Sequence, residues 1–232
     1  MSISYCLICK EQVNFQITWK SLLPGSETKT CDSCYQTLVK INTPTCPGCF
    51  RPQRHHDLCT DCHSWKNDPS WKGILERNVS VYEYNDAMKE ILSTFKFRGD
   101  AALVAVFEKD FQTSYKANFK KKTIDATVPI PLSPERLYER GFNQAKLLAD
   151  FLPLPQLEVL KRTHHEKQSK KSRHERLSSS NVFSITNRSI IEGKNILLID
   201  DIYTTGTTLR HAAQRLKEVG AASVSSFTLI RS

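Results

Sequence analysis

Apolar residues in the larger, C-terminal part of the chain follow two different periods. Short apolar runs with the β-branched and aromatic composition of strands cover residues 79–84, 126–130, 195–199 and 223–230. Between these runs the apolar residues recur at helical spacing, as in Met88, Ile91, Leu92 and Phe95. Strands that alternate with helices favour right-handed crossovers and parallel pairing. The pattern therefore predicts an α/β domain with a mostly parallel sheet.

Polar caps and glycines mark the ends of the predicted helices. One helix is expected over about residues 101–115, and another over about 208–219 with Gly220 as its stop. Ser133 is placed to cap a further helix, with Pro134 at its first position. Gly141 is expected to interrupt that helix.

A change in cysteine content divides the chain. All eight cysteines lie in the first 62 residues, as four Cys-x-x-Cys pairs. We therefore predict a cysteine-rich module over residues 1–64, a connector over 65–78 and the α/β domain over 79–232. The pairs are Cys6/Cys9, Cys31/Cys34, Cys46/Cys49 and Cys59/Cys62.

Four such pairs are typical of zinc sites. Two residues between thiols let both sulfurs face one tetrahedral ion, so two pairs complete a four-thiolate site. Disulfides are disfavoured without a secretory signal, and redox dithiols rarely come four at a time. We predict two structural Zn²⁺ ions, since such sites keep no open position for catalysis. The sequence leaves open whether consecutive Cys-x-x-Cys pairs share one ion or the four pairs combine in a cross-braced arrangement.

Composition and charge narrow the class of protein. With 39% hydrophobic and 25% charged residues, the chain is typical of a globular protein. No apolar run is long enough to span a bilayer, and the first residues lack the core of a signal peptide, which predicts a cytoplasmic location. The net charge of +9 suggests a nucleic-acid partner. Two zinc ions held by eight thiolates would lower that charge to about +5.

The stretch NILLIDDIYTTGTTL, residues 195–209, carries the candidate chemistry. Asp200 and Asp201 follow a buried strand, and ligands of parallel sheets bind beyond the carboxyl ends of strands. Residues 204–208 then supply successive backbone N–H groups, hydroxyls and a helix N-terminus, which suit a phosphate monoester. Gly206 permits close approach of the backbone. The two carboxylates suit the vicinal hydroxyls of a sugar or a magnesium shell.

These residues carry a resemblance to a known family. The segment 196–208 is similar to the phosphoribosyl pyrophosphate (PRPP) motif of type I phosphoribosyltransferases. VPIPLSPERLYERGFNQA (128–145) and KRTHHEKQSKKSRHER (161–176) resemble the ComF family, and the similarity extends over nearly the whole chain. That family joins a cysteine-rich finger to this transferase domain. The resemblance implies a type I phosphoribosyltransferase-like, mostly parallel sheet with flanking helices, preceded by a small zinc-binding module.

The resemblance also implies roles for individual residues. Asp200 and Asp201 would hold the ribose hydroxyls, and Ser133 and Arg136 would meet the pyrophosphate, which carries Mg²⁺. The 5′-phosphate would be held by Thr204, Thr205, Gly206, Thr207 and Thr208. The catalytic candidates are Asp200, Asp201, Arg162 and Arg176.

Two of the segments that carry the resemblance also have a purely structural interpretation. The basic segment 161–176 is similar to the mobile loop that closes over PRPP, where Gln168 and Arg173 join the candidates, but a charge run is also typical of a solvated face. The string at 140–144 is the most diagnostic part of the ComF resemblance, and it is also consistent with a structural helix start in which Phe142 is buried and Asn143 is the cap. The two interpretations are compatible.

The resemblance implies DNA uptake for natural transformation. The protein would handle incoming single-stranded DNA with a ComFA-like helicase ATPase, in the cytoplasm or peripherally at the membrane-bound uptake machinery, while its transferase domain binds PRPP and Mg²⁺. The alternative is an active phosphoribosyltransferase that transfers ribose 5-phosphate to an unidentified acceptor in nucleotide metabolism or salvage. The basic segments and the aromatic residues beside the zinc knuckles suit single-stranded DNA, although such aromatics are more often module core.

Overall fold

A computed structural model describes residues 4–13, 29–97, 100–162 and 182–232. The strands, in chain order, are β1 (Ser4–Tyr5), β2 (Gln12–Val13), β3 (Asn78–Glu83), β4 (Ala126–Pro129), β5 (Leu160–Arg162), β6 (Phe183–Ile185), β7 (Asn195–Tyr203) and β8 (Ser223–Arg231). The α-helices are α1 (Asp32–Gln36), α2 (Thr60–Asn67), α3 (Asp86–Phe97), α4 (Glu108–Phe119), α5 (Pro134–Arg140), α6 (Gln144–Ala149) and α7 (Thr207–Glu218). None of these helices is long and apolar enough to cross a membrane.

A four-stranded parallel sheet forms the centre of the molecule. Its order is β3-β8-β7-β4, and all three pairings are parallel, as the alternation of strands and helices predicts. In β7, Ile196, Leu197, Leu198 and Ile199 are fully buried. Such continuous apolar runs are typical of strands covered on both faces.

The predicted boundaries of the helix over 101–115 are wrong. Residues Ala101–Val106 form a 3₁₀ helix, and the α-helix that follows is α4, which begins at Glu108. The break lets Leu103, Val104 and Val106 enter the core together with Phe107, which is fully buried. Tertiary packing thus outweighs the helical pattern of the sequence here.

The cysteine-rich segment packs directly on the α/β domain. The backbone at residues 39–41 extends the sheet, since Ile41 N–H donates to the carbonyl of Val81 at 3.0 Å and Glu83 N–H donates to Val39 at 2.9 Å. Leu38 joins the core on one side of the sheet. Cys46, Cys49 and Cys62 belong to a second hydrophobic core, which includes the apolar face of α7. The predicted domain boundaries, with a module over 1–64, a connector over 65–78 and a domain over 79–232, stay a prediction.

Candidate functional site

The acidic pair lies inside β7 rather than beyond its end. The strand runs on to Tyr203, because it stays paired with β8 through Asp200, Ile202 and Tyr203. The carboxylate of Asp200 is half-buried and accepts a hydrogen bond from the N–H of Asp201 at 2.9 Å. Asp201 is buried. Successive side chains of a strand point to opposite faces, so the two carboxylates have different surroundings.

A tight turn connects β7 to α7. Gly206 has a φ of 79°, in the left-handed region, and occupies the N-cap position of α7. The hydroxyls of Thr205 and Thr207 are 2.9 Å apart, and Thr207 N–H donates to Thr205 Oγ1 at 3.4 Å. Thr204, Thr205 and the first residues of α7 are exposed. The predicted phosphate-binding residues therefore form one accessible turn at a helix N-terminus.

A buried cation lies directly beneath this turn. Arg210, in the first turns of α7, is 6% exposed, and its Nη1 donates to the hydroxyl of Tyr203 at 2.8 Å. A Cβ on Gly206 would lie 2.1 Å from Tyr203 Oη and 2.5 Å from Arg210 Nη1. Burial raises the pKa of Tyr203 to about 12, so the hydroxyl stays neutral beside the guanidinium. Gly206 is therefore required for space as well as for backbone conformation.

Sequence reasoning missed Arg210 and Tyr203. The available signal was Arg210 itself, a charged residue on the apolar face of a helix, next to Leu209 and Ala213. A buried charge needs a compensating environment. Only the fold reveals that this environment includes the last residue of β7.

The segment after β4, which carries the predicted pyrophosphate residues, contains two capped helices. Ser133 caps α5, because its Oγ accepts from Arg136 N–H at 3.4 Å. Asn143 caps α6 through Ala145 N–H at 3.0 Å, and its Nδ2 donates to the carbonyl of Ile130 at 3.0 Å. The structural interpretation of residues 140–144 is thus confirmed for Asn143. Because Asn143 also holds the end of β4, it shapes the loop that leads to Ser133.

Arg162 lies within electrostatic reach of Asp200. Arg162 ends β5, which pairs antiparallel with β6, and its guanidinium lies 5.8 Å from the ring centroid of Phe183. Burial lowers the pKa of Arg162, the nearby charge of Arg136 lowers it further, and Asp200 opposes this shift. Arg136, Arg162 and Asp200 therefore share one electrostatic environment. The other loop candidates, Gln168, Arg173 and Arg176, lie outside the described residues.

The eight thiols form two compact groups of sequential pairs. The ligand atoms within each group lie within 4.8 Å of one another. Tetrahedral zinc with Zn–S bonds of about 2.3 Å separates its sulfurs by about 3.8 Å. Cys9 and Cys31 Sγ are 3.9 Å apart, and Cys49 and Cys59 Sγ are 3.6 Å apart. The first cluster is Cys6, Cys9, Cys31 and Cys34, and the second cluster is Cys46, Cys49, Cys59 and Cys62.

In the second cluster the surroundings favour the thiolate form of Cys49, whereas its hydrogen bond to Cys62 raises the pKa of Cys62. A hydrogen bond with Cys62 outweighs the effect of burial on Cys49, and Arg231 adds to it, so that the pKa of Cys49 falls to about 4. The Nη2 of Arg231 donates to Cys49 Sγ at 3.5 Å. Metal ligation requires the deprotonated thiol. The donor set and its spacing therefore fit zinc.

Residues next to the first cluster contact the start of the 3₁₀ helix and α4. Lys10 pairs with Asp100 at 2.7 Å, and Lys29 pairs with Glu108 at 2.8 Å. Buried Asp110 accepts hydrogen bonds from three side chains, which are Lys40 (2.8 Å), Tyr35 (2.8 Å) and Tyr82 (2.7 Å). The two clusters thus contact different parts of the α/β domain.

Known proteins resemble this chain over most of its length. The sequence model of the phosphoribosyl transferase domain matches residues 137–232. Competence protein ComFC of Bacillus subtilis (strain 168) is 51% identical over 229 residues, which cover 98% of this chain and 95% of that protein. Competence protein ComFC of Streptococcus pneumoniae is 35% identical over 97% of this chain and 99% of its own.

A solved structure gives a weaker likeness. The adenine phosphoribosyltransferase from Leishmania donovani has a TM-score of 0.37 and 15% identity, and the match covers 65% of this chain and 83% of that chain. The matched sequence model and the parallel sheet confirm the predicted fold class, a type I phosphoribosyltransferase-like sheet with flanking helices. The preceding cysteine clusters have the composition of zinc-binding modules.

Proposed function

Because this chain belongs to the family of ComFC competence proteins, we propose that it acts in DNA uptake for natural transformation. In this role its phosphoribosyltransferase domain binds PRPP together with Mg²⁺. The observation that carries the PRPP proposal is the exposed turn at residues 204–208, which stands on the N-terminus of α7 beside Asp200 and Asp201.

Each group of candidate residues suits one part of PRPP. The backbone N–H groups and hydroxyls of residues 204–208 suit the 5′-phosphate, with Arg210 as a buried positive charge beneath them. Asp200 and Asp201 suit the ribose hydroxyls. Ser133, Arg136 and Arg162 suit the pyrophosphate. Mg²⁺, when bound with PRPP, neutralises the pyrophosphate.

The two cysteine clusters are proposed to hold one structural Zn²⁺ each. Their spacing supports this assignment, and closed four-thiolate sites fold small modules that lack a sufficient core of their own. Metal analysis should give two zinc ions per chain. Cys9→Ser should lose the zinc ion of the first cluster and retain that of the second, whereas zinc well below two per wild-type chain would contradict the assignment.

Single-stranded DNA and a ComFA-like helicase ATPase are the proposed macromolecular partners, at the cytoplasmic side of the uptake machinery. The net charge of +9 supports a nucleic-acid partner. Lys122 is a poor candidate for this contact, because it pairs with Glu76 and its Nζ donates to Ser225 Oγ at 2.9 Å. Lys116 and Lys120 are better placed, since both are exposed.

Calorimetry with PRPP, in the presence and absence of Mg²⁺, tests the central proposal. Asp200→Asn combined with Asp201→Asn should weaken binding at least about tenfold, since hydrogen bonds to charged groups contribute about 1.5–3 kcal/mol each. Glu158→Gln, which only disturbs an exposed pair with Lys146, is the matched control. PRPP binding that is unchanged in the double variant would contradict the site assignment.

Catalysis is the second candidate function. Arg136 and Arg162 share an environment with Asp200, where two cations could stabilise departing pyrophosphate. Incubation with PRPP, Mg²⁺ and a panel of nucleobases tests for pyrophosphate release. Release that requires one base favours the enzyme. PRPP binding without turnover, together with DNA binding that weakens steeply with salt, favours the uptake role alone.

A further inference from the structure

The indole of Trp65 connects the second cysteine cluster to the phosphate-binding turn. Trp65 lies in α2, three residues after the cluster ligand Cys62. Its Nε1 donates a hydrogen bond to the backbone carbonyl of Thr205 at 3.2 Å. This contact joins the cysteine-rich segment to the turn 204–208 across 140 positions of sequence.

The same side chain also fixes the buried cation under the turn. The guanidinium carbon of Arg210 lies 4.4 Å from the centroid of the Trp65 ring, which is within cation–π range. Arg210 in turn donates to Tyr203 Oη at 2.8 Å. A Cβ at Gly206 would collide with both partners of that hydrogen bond. Trp65 therefore contacts the turn once directly and once through Arg210.

Contacts on two sides restrain the side chain of Trp65. Cys62 of the same helix is 3% exposed and belongs to the second cluster. The ring of Trp71 packs edge-on against Trp65 at 5.5 Å, and Trp71 packs against His211 of α7 at 5.0 Å. A side chain locked in this way loses little freedom when it orients a neighbour.

We propose that Trp65 is a positioning residue for the phosphate-binding turn, through which the second cysteine cluster sets the geometry of the site. The indole holds the Thr205 carbonyl toward the cysteine-rich segment, away from the space where an anion would be repelled by it. The aromatic face holds the Arg210 guanidinium in place beneath Gly206. The turn is then preorganised for a phosphate monoester.

This inference rests on the proposed assignment of the turn to the 5′-phosphate. Among the described residues, the segment that carries the first cluster forms its ion pairs with the start of the 3₁₀ helix and with α4, away from the turn. The chemistry recognised is that of a sugar phosphate. A site of this kind should accept ribose 5-phosphate as well as PRPP.

Two conservative variants separate positioning from simple packing. Trp65→Phe keeps an aromatic ring over Arg210 and removes the N–H that binds Thr205. Trp71→Phe is the matched control, because it keeps an aromatic ring against Trp65 and His211, the two rings that Trp71 packs against edge-on. Zinc content and thermal stability are measured in both variants, so that a collapsed module is recognised.

The primary measurement is hydrogen–deuterium exchange of the peptide that contains residues 204–208, in the ligand-free protein. Trp65→Phe should exchange at least about fivefold faster than wild type, while Trp71→Phe should stay within about twofold. Calorimetry should give about tenfold weaker binding of both PRPP with Mg²⁺ and ribose 5-phosphate to Trp65→Phe. Equal exchange in Trp65→Phe and wild type would overturn the inference, as would equal acceleration in both variants.

The exchange result and the binding result can fail separately. If wild type binds neither ligand and Trp65→Phe still exchanges faster, the proposed function falls and the positioning role stands. If wild type and Trp65→Phe bind and exchange alike, the positioning role falls and the proposed function stands. Should Trp65→Phe lose zinc or fail to fold, Arg210→Lys replaces it. Unchanged exchange at 204–208 in that variant would also overturn the inference.

Discussion

Arg231 and Cys49 are in direct contact, although 182 positions separate them in the sequence. The Nη2 of Arg231 donates to Cys49 Sγ at 3.5 Å, and its Nη1 donates to the carbonyl of Tyr203 at 3.2 Å. Arg231 is 3% exposed and also lies 4.9 Å from the ring of Tyr203. The end of β8 therefore joins the second cysteine cluster to the end of β7, and places a positive charge beside four thiols.

Removal of this charge should weaken metal retention at the second cluster. Arg231→Met leaves the cluster without its buried cation, and loss of one partner from a buried charged pair typically costs about 3–5 kcal/mol. The variant should unfold at lower denaturant concentration and release zinc to a chelator faster. Lys146→Met, which breaks only an exposed pair with Glu158, should change neither property measurably. Equal zinc release from both variants would contradict the prediction.

Gly206→Ala should eliminate phosphate binding. A Cβ at this position would lie 2.1 Å from Tyr203 Oη and 2.4 Å from Tyr203 Cζ, so the turn or the tyrosine would have to move. Gly193→Ala is the control, since its φ of 70° imposes similar backbone strain while nothing lies within 4 Å of its Cβ. That strain alone costs about 1–2 kcal/mol. Calorimetry with ribose 5-phosphate should detect no binding to Gly206→Ala and normal binding to Gly193→Ala.

Arg136 and Arg162 should contribute to pyrophosphate binding and not to sugar-phosphate binding. Arg136→Met and Arg162→Met should each weaken PRPP binding about tenfold, because each removes one of the two cations that share the electrostatic environment of Asp200. Affinity for ribose 5-phosphate should stay the same. Lys161→Met, an exposed neighbour on β5, is the control for a general loss of positive charge. A similar loss for both ligands would refute this division of the site.

Asp110 should make the attachment of the cysteine-rich segment sensitive to acid. Burial alone would raise the pKa of Asp110, but hydrogen bonds from Lys40, Tyr82 and Tyr35 outweigh it and hold this pKa below its ordinary value. Because the pKa of Asp110 is lower in the folded state than in the unfolded state, where it is about 3.9, the ionised carboxylate stabilises the fold. This stabilisation is complete above the unfolded-state pKa and is lost as the pH falls through the folded-state pKa.

Replacement of Asp110 by asparagine tests this pH dependence. Asp110→Asn should lower the free energy of unfolding by about 2–3 kcal/mol near pH 7. The difference from wild type should shrink as the pH falls below about 4. Denaturant unfolding at a series of pH values checks both parts. Asp100→Asn, which loses a more exposed pair with Lys10, should differ little from wild type throughout. A constant gap between Asp110→Asn and wild type would count against the prediction.

Local chemistry made much of the fold predictable. The apolar run at 196–199 predicts a buried strand, and all four residues are fully buried. Ser133 and Asn143 are caps in the structure because their short polar side chains compete well for free N–H groups. The break before α4 was not predictable, because it depends on the burial of Phe107 against residues distant in sequence.

The candidate site was predictable in its residue types and less so in its arrangement. The order of acids, threonines and glycine at 200–208 indicated a phosphate-binding turn. The position of Asp200 and Asp201 within β7 depends on pairing with β8, which continues to Arg231. Strand length is set by the partner strand, so the sequence of β7 alone could not supply it.

By itself, the sequence determined the thiol pairs, the acidic pair and the threonine-rich turn, because each depends on spacing within a few residues. The tertiary structure decided the relationships that cross long intervals. It grouped the four knuckles into two sequential clusters, put Arg231 beside Cys49, and brought Trp65 against Thr205 and Arg210. Such contacts arise when separate elements bury their apolar faces together, and no local pattern encodes which faces will meet.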